Sequence, residues 1–224
     1  MYASGLTDDH ALLPGQYLNA SVIPPLAAQS YIAAQAPMPH TFRRFYEHVV
    51  ASGANTIVNL TPLVERGMRK SDPYWLPADL GDGWSVALED ESKYDGGIPD
   101  MTTRTLLVSS PERSHRVTQL HFEGWPDHGV IEPDVLLNIV RLVSQTRGTQ
   151  TNPIWVHCSA GIGRSGTLIG TLLAAEHDDR SASPPDMAAA LTSHMRKQRA
   201  GMVQTPGQFA ALANAISALR KIPL

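Results

Sequence analysis

The short apolar run from Ile154 to His157 passes directly into a glycine-rich turn and then into a helical pattern beginning near Arg164. A buried strand that feeds a helix through so tight a turn is the unit of α/β architecture, and it restricts the chain to a sheet with helices packed on it. The same pairing appears earlier. Phe42, Phe45, Tyr46, Val49 and Val50 repeat at helical spacing between Thr41 and Ser52, Gly53 stands where that helix would stop, and the run Thr56 to Leu60 reads as the next strand. Three β-like segments, Trp84–Leu88, Arg104–Ser109 and His115–Phe122, follow one another with only turns between them, which predicts antiparallel pairing. Helices are expected over Glu132–Thr146, Pro184–Arg199 and Thr205–Leu219, with Pro133, Pro184, Pro185 and Pro206 at their starts. No internal repeat, low-complexity tract or linker interrupts the 224 residues. The expectation is an α/β chain of a single domain over residues 1–224, a twisted mixed sheet flanked by helices.

Composition narrows the function. The net charge is −3 without a dense Lys/Arg cluster, which argues against nucleic acid as a partner. One cysteine, Cys158, permits no internal disulfide and no thiolate metal cluster. No window reaches the ~18 apolar residues of a membrane span, so no membrane span is expected. A cytoplasmic monomer is the expected state.

The segment His157-Cys158-Ser159-Ala160-Gly161-Ile162-Gly163-Arg164-Ser165-Gly166 sets a cysteine and an arginine five residues apart between strand and helix. A loop of that length can turn its backbone N–H groups inward, and the helix that follows adds its positive end, which makes an anion site. Ser159 to Arg164 would form that cradle. Arg164 offers a planar fork to two phosphate oxygens, and the same positive field favours a thiolate on Cys158 and hence nucleophilic attack. The competing reading is a buried structural cysteine beside a glycine-rich turn.

On these residues the chain resembles the tyrosine-specific protein phosphatases, and the resemblance extends along nearly its whole length. Trp125-Pro126-Asp127-His128-Gly129 matches that family's mobile acid loop, which implies that Asp127 is the general acid and Trp125 its anchor. Expulsion of a phenolate needs a proton as the P–O bond breaks. Gln204-Thr205-Pro206-Gly207-Gln208 resembles the family's glutamine loop, so that Gln204 would hold the hydrolytic water and Gln208 would lie near the substrate phosphate. Arg199 matches an arginine that supports the site, with a solvated helix charge as the alternative. Glu65 and Lys70 match a glutamate that holds the catalytic arginine and a lysine that approaches the acid. The resemblance also implies that His157 and Ser165 tune the nucleophile, Ser165 by stabilising the leaving thiolate, and that Asn19 supports the substrate loop. The remaining histidines, His121 among them, have no metal-ligand spacing and read as surface or core residues. Neither metal nor cofactor is implied.

Phosphotyrosine specificity in this family comes from a deep slot with an aromatic wall, for which Tyr2 is the best match. The position two residues on is Ser4 where relatives carry an aspartate, with Asp8 or Asp9 as substitutes. The expected partner is a phosphotyrosine protein or peptide, in the cytoplasm or, for a bacterial effector, in the cytosol of a host cell. Three other readings compete. A dual-specificity or phosphoinositide phosphatase would use the same cysteine and arginine in a shallower or more basic pocket. A phosphotyrosine-binding module without turnover would lack a catalytic part. A sulfur-transfer or arsenate-reducing enzyme would not need the Trp125–Asp127 motif or the glutamine loop.

Overall fold

The computed structural model describes residues 17–125 and 131–221. Ten strands and five helices follow in the order β1 (Ala20–Ile23), β2 (Tyr31–Gln35), α1 (Phe42–Ser52), β3 (Thr56–Asn59), β4 (Val64–Glu65), β5 (Met68–Arg69), β6 (Ala78–Gly81), β7 (Trp84–Lys93), β8 (Met101–Ser109), β9 (Ser114–Phe122), α2 (Pro133–Arg147), β10 (Ile154–Cys158), α3 (Gly163–Glu176), α4 (Pro184–Arg196) and α5 (Pro206–Leu219). Eight strands form one sheet in the order β1-β2-β10-β3-β9-β8-β7-β6, while β4 and β5 make a separate hairpin. The inner strands β2, β10, β3 and β9 are parallel, and the remaining pairs are antiparallel. The mixed sheet flanked by helices is thus the observed architecture.

The sheet divides the core in two. Ile154, Val156, Val58 and Leu120 face α2, α3 and α5, whereas Trp155, Ile57, Ile32 and Val117 face α1 and the Tyr74–Trp75 pair. Period-two alternation along β10 therefore sends Cys158 to the helical face and His157 to the α1 face. Trp155 is fully buried and donates its Nε1–H to Ser52 Oγ at 3.0 Å. Burying a side chain of that class is worth about 1.5–3 kcal/mol, enough to pin the central strand against α1.

Helix ends follow their caps. Gly53 closes α1 with φ 71°, returning its N–H to the carbonyls of Val49 and Val50. Ser183 caps α4, and Thr205 with Gln208 forms a reciprocal capping box on α5. Some elements differ from expectation, β8 beginning at Met101 and not at Arg104. The helix expected over Pro184–Arg199 ends at Arg196, because Gln198 and Arg199 return their N–H groups to Met195 and the chain turns toward Gly201. Strand β7 runs on to Lys93 through a charged stretch, carried by its ladder with β8 rather than by apolar alternation. The edge strand β6, absent from the expected elements, is largely exposed and its four residues are too few for alternation to mark it.

Candidate active site

Cys158 ends the central strand β10 and Gly163 begins α3, so the four residues between them must reverse direction over the carboxyl edge of the sheet. Each carbonyl of that turn is tied away from the bowl. Ser159 O accepts from Ala36 N–H at 3.1 Å, and Ile162 O accepts from Gly166 N–H at 3.0 Å and Val203 N–H at 3.1 Å. Ala160 O and Gly161 O accept from Arg199 Nη2 at 3.0 Å and Nε at 2.8 Å. In a planar trans peptide the N–H points opposite to the carbonyl, so tying four successive carbonyls outward turns the N–H groups of Ala160, Gly161, Ile162 and Gly163 inward. The result is a ring of donors at the amino end of α3, an anion cradle with Cys158 at its base.

Gly161 is obligatory in this turn. Its φ is +71°, and a methyl group there would lie 2.0 Å from Ala34 O. The strand β2 thus fits against the outside of the loop with no room for a Cβ. Gly166 serves a similar purpose one turn into α3, where a Cβ would meet Val203 N at 2.5 Å.

Arg164 stands on the rim with its fork braced from one side. Nη2 donates to Glu65 Oε1 at 2.5 Å, and Nη1 donates to Thr61 Oγ1 at 3.2 Å and Leu60 O at 3.4 Å. None of these bonds uses Nε. Glu65 sits on the β4–β5 hairpin, and Lys70 Nζ lies 3.9 Å from its Oε2. Arg199 is buried, only 5 % exposed, and also reaches Asn19 Oδ1 at 2.8 Å and Ser21 Oγ at 3.3 Å. Burial pulls its guanidinium down from the ordinary value, and the nearby Cys158 opposes that shift. The structure therefore places Arg199 beneath the cradle, not on a solvated helix face.

His157 is buried on the opposite face of the sheet, and burial lowers its pKa to about 3, so the ring is neutral. Its Nδ1 lies 3.3 Å from Cys158 O, which can only accept, so Nδ1 carries the proton. Nε2 then accepts from Tyr74 O–H at 2.7 Å. Ser165 is fully buried behind the loop, and its hydroxyl has no hydrogen-bond partner among the described residues. Gln204 is exposed and lines a cleft of about 530 Å3 with Arg196 and Phe209. Gln208 is engaged within the protein, its Oε1 accepting from the N–H groups of Gln204 and Thr205, while its amide abuts Gly163. Trp125 is buried with its ring 6.5 Å from that of Phe122. Asp127, His128, Tyr2, Ser4, Asp8 and Asp9 lie outside the described residues.

Reading by motif missed Thr61, Leu60 and Tyr74. Tyr74 stands in the Tyr-Trp pair ahead of a strand and reads as packing; Thr61 contacts Arg164 across 103 positions of sequence, a separation that no local pattern reveals.

The model of the family described as protein-tyrosine phosphatase matches residues 7–218 of the chain. The chain belongs to the protein-tyrosine phosphatase family. Among its relatives, mouse tyrosine-protein phosphatase non-receptor type 18 is 34% identical over 212 residues, covering 92% of this chain and 46% of that protein. Mouse non-receptor type 4 is 33% identical over 204 residues, covering 89% of this chain and 22% of that protein. The chain thus spans between about a fifth and a half of the length of these relatives. The crystal structure of the catalytic domain of human non-receptor type 18 superposes with a TM-score of 0.79 at 31% identity, covering 91% of this chain and 74% of that one. The same relative is known in complex with HER2 phosphopeptides. No helix among the described residues is long and apolar enough to cross a membrane.

Proposed function

We propose that this chain hydrolyses phosphotyrosine in proteins through a phosphocysteine on Cys158. The observation that carries the reading is the cradle itself: four outward-tied carbonyls around a cysteine, with Arg164 braced by Glu65 on the rim. A tetrahedral dianion seated there meets inward N–H donors and the free edge of Arg164, while its phosphorus faces Cys158 Sγ.

In the first step the Cys158 thiolate attacks phosphorus, the bond to the tyrosine oxygen breaks, and Asp127 gives that oxygen its proton. In the second, water held by Gln204 attacks the phosphocysteine, Asp127 takes the proton from that water, and the S–P bond breaks to release inorganic phosphate. Ser165 hydroxyl donates to the departing thiolate; its buried position and lack of another partner support this role. Gln208 shapes the rim beside Gly163, and its capping bonds with Gln204 and Thr205 keep the glutamine loop against the cradle. Lys70 supports Glu65 and, with it, Arg164. Tyr2 is assigned to the aromatic wall on sequence alone. Binding of HER2 phosphopeptides by the non-receptor type 18 relative supports a phosphotyrosine peptide as substrate, and the non-receptor type of that relative supports a cytoplasmic location.

The test is phosphate release from a phosphotyrosine peptide, a phosphoserine peptide and a phosphoinositide, with wild type, Cys158→Ser and Asp127→Ala in parallel. Release from the tyrosine peptide alone, abolished by Cys158→Ser and strongly slowed by Asp127→Ala, is expected. Lipid or phosphoserine turnover would move the reading to a broader phosphatase, and a wild type that binds peptide without turnover would make it a binding module.

A further inference from the structure

We propose that His121 is a positioning residue for Arg164: acting through Thr61, it fixes the segment that holds the guanidinium fork and thereby sets the affinity of the cradle for a tetrahedral oxyanion. The inference deepens the phosphatase reading and rests on it for turnover, though not for anion binding.

The sheet face opposite the cysteine carries a polar group where apolar packing would be expected. Arg104 on β8 is only 7 % exposed, and its guanidinium lies 4.3 Å from the centre of the Trp75 ring. Its Nη1 donates to Gln119 Oε1 at 3.0 Å and to His121 Nδ1 at 3.0 Å, both on β9. Toward solvent, Nε meets Glu91 at 2.5 Å. Enclosing an arginine and a histidine this deeply costs free energy that an apolar pair would not, so the arrangement calls for a purpose beyond packing.

The tautomer supplies it. An arginine only donates, so His121 Nδ1 must accept, and the single proton of the neutral ring is left on Nε2. Nε2–H then donates to Thr61 O at 2.8 Å. Thr61 lies just beyond the carboxyl end of β3, and its hydroxyl accepts from Arg164 Nη1. The neighbouring Leu60 O accepts from the same nitrogen. Arg104 thus selects the tautomer, His121 holds the Thr61 carbonyl, and the Leu60–Thr61 segment presents its oxygens to the arginine of the rim. Trp75 packs at 4.9 Å against the His121 ring, tilted by 56° to it, and restrains its plane.

The strut is tested by the affinity of the 224-residue chain for inorganic tungstate, a tetrahedral oxyanion, measured by calorimetry on folded wild type and variants. His121→Phe keeps the ring against Trp75 but removes both nitrogens; it should weaken tungstate about tenfold, on the order of 1.4 kcal/mol. His121→Gln can accept from Arg104 and donate to Thr61, and should stay within about threefold of wild type. Thr61→Val removes the hydroxyl alone and should weaken tungstate about threefold. In combination with His121→Phe it should add little, because both act on the same fork. Alkylation of Cys158 by iodoacetamide should be unchanged throughout, since the strut reaches the arginine and not the sulfur.

A role in stability alone would lower the melting temperature yet leave the affinity of the folded fraction intact. Tungstate binding to His121→Phe within about twofold of wild type, or His121→Gln as weak as His121→Phe, would overturn the proposal. Should His121→Phe fail to fold, Thr61→Val decides by itself, an unchanged affinity refuting the strut. A wild type that binds tungstate but releases no phosphate from phosphotyrosine sinks the phosphatase reading and leaves these comparisons standing.

Discussion

Replacing Arg199 by methionine separates the geometry of the cradle from the stability of the fold. The guanidinium makes four hydrogen bonds, to Gly161 O, Ala160 O, Asn19 Oδ1 and Ser21 Oγ. Two of them hold loop carbonyls, and a hydrogen bond to a charged group contributes about 1.5–3 kcal/mol, against which stands the several kcal/mol needed to strip a buried guanidinium of water. For folding the two largely offset, because a methionine of similar length fills the space without that desolvation cost. The net stability loss should therefore be no more than about 2 kcal/mol, a fall in melting temperature of a few degrees for a domain of this size. For the loop there is no such offset. Releasing Ala160 O and Gly161 O allows both peptides to turn, and a turned peptide presents an oxygen where the anion needs an N–H. At ~1–1.5 kcal/mol for each lost constraint, kcat/KM and oxyanion affinity should fall together by about 30- to 150-fold. Calorimetric titration with tungstate, steady-state kinetics on a phosphotyrosine peptide and thermal melts of the same preparation measure all three. Arg199→Met that melts lower but binds tungstate within about twofold of wild type would refute the claim that this side chain shapes the cradle.

Gly161→Ala forces a Cβ against Ala34 O at a position with φ +71° and should cost ~2–4 kcal/mol, with oxyanion binding lost at temperatures where the protein remains folded; a chemical denaturation curve like that of wild type would count against the packing of β2 on the loop. Glu65→Gln keeps a partner for Arg164 Nη2 but removes its charge, and kcat/KM should fall about 5- to 30-fold with little change in melting temperature, which steady-state kinetics will check. His157 titrates at about 3 in the folded protein against an ordinary value of 6.5. Between those values the unfolded chain binds a proton that the folded chain does not, so stability rises with pH through this window and is lost as pH falls. Burial lowers His121 in the same direction. Urea midpoints measured from pH 6 to pH 4.5 should show a loss of ~2 kcal/mol from His157 alone, with a shallower slope in His157→Gln; equal slopes in the two proteins would refute the assignment.

The strand–turn–helix unit at Cys158, the first helix and the strand after it were legible in the sequence because each is a local pattern: apolar run, glycine turn, 3.6-residue repeat, capping residue. The geometry of the cradle was legible for the same reason, since Cys158 and Arg164 lie on one loop and their spacing constrains its backbone. The remainder depends on contacts across long stretches of chain. Nothing near Arg199 in sequence announces that its side chain reaches back to Asn19 and across to the carbonyls of Ala160 and Gly161. Thr61 acquires meaning only because β3 lies between β10 and β9 in the sheet, which brings its hydroxyl to Arg164 and its carbonyl to His121. The exposed edge strand β6 and the charged end of β7 are decided by ladder hydrogen bonds, which no residue pattern records. Local sequence determined where the cysteine, the arginine and the anion cradle sit; tertiary structure alone decided what holds those groups still, because rigidity comes from partners that only folding brings within hydrogen-bonding distance.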